Sequence, residues 1–174
     1  MSPDGIHHIE VNVLNLARST EFWSFLLGEL GYEPFQAWDG GRSWKRGTAY
    51  IVFVQVAQRF TSRSFHRSAV GLNHLAFHGG SRERVDALAE QLRRRGVPML
   101  YDDRYPFAGG REHYALFCED PDRIKVEVVA TQASEGDFRA VPSQGETMED
   151  LPHERLPDPA IHRDHGARRA RGAV

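Results

Sequence analysis

One order of elements is written twice in this chain, and that repetition narrows the possible folds more than any single motif does. The first copy opens on IHHIEVNV, whose alternation and β-branched content read as a strand. Asn15 then stands where a helix cap is wanted, and LARSTEFWSFLLGEL sets Phe22, Phe25, Leu26 and Leu30 at helical spacing before Gly31 stops the helix. A glycine-punctuated stretch, WDGGRSWKRG, leads into a further strand, AYIVFVQV. The second copy opens on GLNHLAFH and continues through Ser81 as cap into RERVDALAEQLRRR, with Val85, Leu88 and Leu92 on one face and Gly96 as terminator. Its later strands, HYALFC and IKVEVVA, are joined by a turn at Asp120, Pro121, Asp122 and Arg123. Gly31 and Gly96 are 65 residues apart and His8 and His74 are 66 apart, so the two strand-helix units superpose with an offset of one. The expected fold is α+β, with one module over residues 1–66 and a second over 67–130.

From Thr131 onward the chain turns polar and proline-punctuated, and it ends in RDHGARRARGAV. Such a segment cannot bury enough apolar surface to offset its ordering entropy, so 131–174 is expected to be a disordered tail or a surface arm. Its His153, His162 and His165 fit no compact ligand spacing and are read as solvated. Elsewhere 40% hydrophobic against 26% charged residues is a globular balance, and no run approaches the ~18 apolar residues of a membrane span. The start, MSPDGIHHIEV, has neither a basic region nor an apolar leader, which points to a cytoplasmic setting. A net charge of −2 gives no reason to expect nucleic acid or a membrane surface as partner. Cys118, the single cysteine, has no basic neighbour to support a thiolate and reads as a half-buried structural thiol.

Alternation decides which polar residues can meet. In the first strand Ile9, Val11 and Val13 point one way, towards a packed helix, and His8, Glu10 and Asn12 the other. The same logic places His74 opposite Leu75 and Phe77, and Glu127 opposite Val126 and Val128, while Gln55 falls with Ile51 and Phe53. Four strands thus each offer one potential ligand, His8, Gln55, His74 and Glu127, to what is expected to be a common concave surface. Two imidazoles and a carboxylate suit non-haem Fe(II), and equally Zn, Ni, Co or Mn. A histidine on a strand is also compatible with a plain surface or hydrogen-bonded role.

The segments HHIEVNVLNLARSTEFWSFLLGELGYEP, GLNHLAFHGGSRERVDALAEQLRRRGV and LFCEDPDRIKVEVV together resemble the vicinal oxygen chelate superfamily, over nearly all of residues 5 to 130. That superfamily includes glyoxalase I, extradiol dioxygenases, methylmalonyl-CoA epimerase, and the fosfomycin and bleomycin resistance proteins. The resemblance implies two βαβββ modules forming a cup-shaped open mixed β-sheet with helices on its convex face. It further implies a divalent metal ion on His8, His74 and Glu127, with Gln55 where glyoxalase I often has glutamate. Arg123 replaces the glycine common at this turn, and a type I turn is expected to form without glycine there.

The loop YDDRYPFAGGREHYALF is expected at the mouth of the second module's cup. Tyr105 and His113 are candidate proton-moving groups, while Arg104 and Tyr114 are candidate substrate contacts, ordinary solvated roles being the alternative for each. Trp23 reads as core; Trp38 and Trp44 could line a substrate cavity or pack over it. Gly109 and Gly110 form no phosphate-binding motif, since no strand precedes and no helix follows them. The resemblance implies a metal-dependent enzyme acting on a small molecule with two neighbouring oxygens, the glyoxalase-like lyase or isomerase leading over an extradiol-type Fe(II) dioxygenase. A non-catalytic drug-binding protein is the alternative of another class. A homodimer, with His8 meeting Glu127 across copies, is the second possible way to build the site.

Overall fold

The computed structural model describes residues 5–62 and 65–131. The first module runs β1 (His8–Val13), α1 (Leu16–Glu29), β2 (Glu33–Trp38), β3 (Gly41–Arg46) and β4 (Ala49–Gln55). The second runs β5 (His74–Gly80), α2 (Arg82–Arg94), β6 (Met99–Leu100), β7 (Ala115–Glu119) and β8 (Lys125–Ala130). The expected α+β class and the two βαβββ modules are what the chain forms. All of the expected tail but Thr131 lies outside the described residues. Among the described residues no helix is long and apolar enough to cross a membrane.

The strands divide into two four-stranded sheets of the same topology, β1-β4-β3-β2 and β5-β8-β7-β6. In each, the first strand pairs in parallel with the last and the remaining ladders are antiparallel. The helices begin and end alike. Asn15 Oδ1 accepts from the Arg18 amide at 3.0 Å and Ser81 Oγ from the Arg84 amide at 3.4 Å, each satisfying an otherwise orphaned donor. At the other ends Tyr32 N–H reaches Leu27 O at 2.8 Å and Val97 N–H reaches Leu92 O at 3.1 Å. Both closures need a left-handed residue just past the helix, supplied by Gly31 at φ +79° and Gly96 at φ +70°.

The apolar faces of both modules join one core. Val11, Val13, Ile51 and Phe53 of the first sheet and Leu75, Phe77, Val126 and Val128 of the second belong to the same buried cluster as Trp23, Leu26, Leu88 and Leu92 of the helices. Trp23, fully buried, stacks on Phe53 at 4.5 Å and lies 6.2 Å from Phe77, so one indole touches both sheets. Trp44 is buried against Phe53, which settles it as core. Cys118 is fully rather than half buried, and burial pushes its thiol up to about 12, leaving no thiolate at neutral pH. Because side chains alternate along a strand, turning both apolar faces into one core turns both polar faces away from it.

The Asp120 turn fastens the second module to the first. Asp120 accepts from the amides of Asp122 and Ile124 at 2.8 Å each and from Trp23 Nε1 at 3.2 Å. Asp122 accepts from the Leu14 amide at 2.7 Å, just ahead of α1. The turn closes with Arg123 N–H on Asp120 O at 3.0 Å, but Arg123 takes φ +67°. The turn thus forms without glycine, as expected, and the arginine adopts a left-handed backbone that costs roughly 1 kcal/mol relative to glycine.

Candidate metal and catalytic site

Glu127 is the buried anchor of the polar face of the second sheet. It is 6% exposed, although charged side chains are seldom buried without partners. In the parallel ladder of β5 and β8 it stands opposite Ala76, with His74 opposite Lys125, so His74 is its diagonal neighbour. The His74 Nε2 atom lies 2.9 Å from Glu127 Oε2. His113, two residues before β7, brings its Nε2 against the other oxygen, Oε1. Gly109 makes room for it, since a Cβ at Gly109 would collide with the His113 ring.

The residue before β5 fixes how His74 is used. Asn73 donates its amide nitrogen to Arg67 O at 3.2 Å, which turns its carbonyl oxygen towards His74 Nδ1 at 2.8 Å. An acceptor there assigns the proton to Nδ1 and leaves a lone pair on Nε2. That lone pair faces a carboxylate oxygen, an arrangement that repels unless a proton or a metal cation lies between. An imidazole so oriented, beside a buried carboxylate, is a donor set that suits a divalent cation.

The second expected imidazole is elsewhere. His8 lies on β1, in the other sheet, exposed and stacked on Tyr50 at 4.8 Å, with His7 as its hydrogen-bonding neighbour at 2.8 Å. The two polar faces point away from the shared core, so the expectation of one common concave surface within the chain is corrected. Among the described residues no three His, Cys, Asp or Glu side chains are arranged to hold a metal ion. Of the three residues expected to meet, one copy brings together His74 and Glu127 and leaves His8 apart from them.

Gln55 is also corrected. Val13 is its ladder partner, at the far end of β1 from His8. Its side chain accepts from the Leu16 amide at 2.9 Å and donates to Leu14 O at 2.9 Å, bracing the entry to α1. The repeat instead identifies Val52: Glu127 pairs with the residue two past His74, and Val52 pairs with Glu10, two past His8. An apolar residue thus occupies the position symmetric to Glu127.

The expected loop residues divide. Only His113 reaches Glu127. Tyr105 and Tyr114 both donate to Asp86 on α2, on the helix side of the sheet, so neither is a proton donor at Glu127. Burial and the adjoining Asp86 carboxylate raise both phenols above their ordinary range. Arg104 lies 5.0 Å over the Tyr101 ring, which stands edge-on to Phe117, the ladder partner of Glu127. Trp38 is 44% exposed at the end of β2, lying across Gly41 in the other sheet. Asn73 and Asp86 escaped the sequence reading, which had noticed Gly109 without its role beside His113; the only signal for Asn73 was that it directly precedes His74.

Residues 5–128 match the family model described as the Glyoxalase/Bleomycin resistance protein/Dioxygenase superfamily. The chain belongs to that superfamily. Among its relatives, YqjT of Bacillus subtilis (strain 168), itself uncharacterized, is 54% identical over 125 residues, covering 72% of this chain and 98% of that protein. A candidate glyoxalase from Bacillus halodurans, known from a crystal structure, is 58% identical with TM-score 0.72, over 74% of this chain and 96% of its own. The fosfomycin resistance protein FosX of Listeria monocytogenes shares the fold at 21% identity and TM-score 0.55, over 75% of this chain and 94% of its own. The superfamily match ends at 128, so it spans both modules and leaves the last 46 residues of the 174 unmatched.

Proposed function

We propose that the protein is a metal-dependent enzyme of glyoxalase-type lyase or isomerase chemistry, acting on a small substrate that presents two neighbouring oxygens to the ion. The observation that carries this reading is the buried Glu127 carboxylate flanked by Nε2 of His74 and of His113, with Nδ1 of His74 tied to Asn73. The third ligand comes from His8 of a second copy. What supports this is that β1 and β5 are both edge strands whose outer sides pair with nothing in their sheets. Setting β1 of one copy beside β5 of another places His8 next to His74 and Glu127 and makes the homodimer the catalytic unit. A divalent ion of Fe, Zn, Ni, Co or Mn held there would polarise the substrate oxygens and favour an enolate-like anion. His113, expected as a proton-moving group, moves the substrate proton, and Arg104 is assigned to an anionic substrate group. No nucleic acid or membrane enters this chemistry, and a cytoplasmic setting belongs to the same proposal.

Val52 favours a second reading. With an apolar residue symmetric to Glu127, the protein ligands number three, and the open positions suit an extradiol-type dioxygenase that binds substrate and oxygen together. Metal analysis of tag-free protein tests the shared premise: about one equivalent of Fe(II), Ni(II) or Zn(II) per chain is expected. A trace content that does not rise on titration would leave a drug-sequestering protein instead. Loss of methylglyoxal-glutathione hemithioacetal, set against oxygen uptake with catechols, then separates the two chemistries.

A further inference from the structure

A cleft of about 440 Å³ opens where the start of α1, the end of α2 and the Asp120 turn meet, and it shares no residue with the Glu127 site. Its volume falls within the range of small-molecule sites, roughly 300–1,000 Å³. Phe22, Phe25 and Pro98 give it an apolar wall, and Arg18, Arg95 and Arg123 stand around it.

The charges do not cancel among themselves. Glu119 is taken by Arg67 and meets Arg123 only at 3.6 Å. Asp120 is spent on Trp23 and two backbone amides. Arg95 lies 3.6 Å over the Phe25 ring, a contact that uses the face of the guanidinium and leaves its in-plane N–H donors for something else. Arg18 makes one long bond, 3.4 Å to Pro121 O. Glu21 is the only acid of the lining without a hydrogen bond or ion pair among the described residues, set against three underused guanidiniums.

We infer that this cleft is a second ligand site, for a small aromatic carboxylate whose ring packs against Phe22 and Phe25 and whose carboxylate is held by Arg18 and Arg95. An apolar wall alone would accept any flat ring; the fork geometry of arginine adds a requirement for a planar anion. The inference stands apart from the catalytic reading.

Calorimetric titration of the full-length protein with 2-naphthoate tests it, with neutral 2-naphthamide as the isosteric control. One site per chain is expected, with 2-naphthamide at least about tenfold weaker and with Arg18→Gln and Arg95→Gln each costing about tenfold, as befits a charge-assisted pair. Both arginines are exposed, so these variants should keep the parent melting curve. Glu127→Ala should bind 2-naphthoate unchanged. Absence of binding at millimolar naphthoate, equal binding of the amide, indifference to both arginine substitutions, or loss of binding in Glu127→Ala would each overturn the inference.

Discussion

The lone pair of His74 is set from outside the site, by a residue that touches neither Glu127 nor any substrate. Asn73 is held by Arg67 O and in turn holds His74 Nδ1, so its removal frees the ring to rotate and to change tautomer. Asn73→Ala should therefore weaken divalent-metal affinity roughly 10- to 100-fold, the usual effect of losing such a support. Metal titration by calorimetry checks this, and unchanged affinity would show that Asn73 is a bystander. Asp120 makes a prediction of opposite sign to most carboxylates. Burial raises its pKa from 3.8 to about 6, against the hydrogen bonds that lower it. The folded state therefore binds more protons than the unfolded state between about pH 4 and 6, and stability falls as pH rises through that window and levels off above it. The loss is of the order of 2–3 kcal/mol. Asp120→Asn should flatten that stretch of the urea-denaturation profile, and a slope that persists in the variant would place its origin elsewhere. At this scale the shared face of His74 and Glu127 was legible, because a polar residue alternating with buried ones on a strand has one face to go to. Gln55 was misread although its alternation, shared with Ile51 and Phe53, already put it on the helix side of the sheet. Tyr105 and Tyr114 were misread because nothing in the local pattern reveals Asp86 as their partner.

At the scale of elements, the repeat carried the fold. Capping residues, helical spacing and terminating glycines mark both α1 and α2, and each signal acts within a few residues of where it is written. Ladder register is less local, and it is register that made Val52 rather than Gln55 the counterpart of Glu127. Two glycines test how tightly the elements fit. A Cβ at Gly79, at the end of β5, would lie 2.6 Å from both Val128 Cγ1 and Val85 Cγ2, so strand and helix approach as closely as they do only without a side chain there. Gly79→Ala should destabilise the protein by about 1–3 kcal/mol through overpacking. Gly28, within α1, has open space around the same hypothetical atom, and Gly28→Ala should stabilise by about 0.5–1 kcal/mol through helix propensity. Urea denaturation of the two variants checks both signs; a neutral Gly79→Ala would mean that β5 and α2 separate readily.

At the scale of the whole molecule, the arrangement that builds the core also divides the proposed ligand set. Packing both apolar faces against the same indole stabilises the monomer, and it sends His8 out on one sheet and His74 with Glu127 out on the other. No sequence pattern distinguishes this back-to-back packing from one in which the polar faces meet, because alternation fixes the face of a residue and not the sheet it confronts. A site completed across two copies has a property that a site within one chain cannot imitate. His8→Ala and Glu127→Ala should each lose metal binding as pure homodimers, since every site then lacks a ligand. In a heterodimer of the two, one site lacks both ligands, while the other draws His8 from the Glu127→Ala chain and Glu127 from the His8→Ala chain. Random reassociation from an equal mixture should restore about a quarter of the wild-type metal content, because half the dimers are mixed and each has one intact site of two. Metal analysis of the mixture after denaturation and joint refolding measures this. No recovery in a mixture proven to contain heterodimers would exclude a ligand set shared between copies.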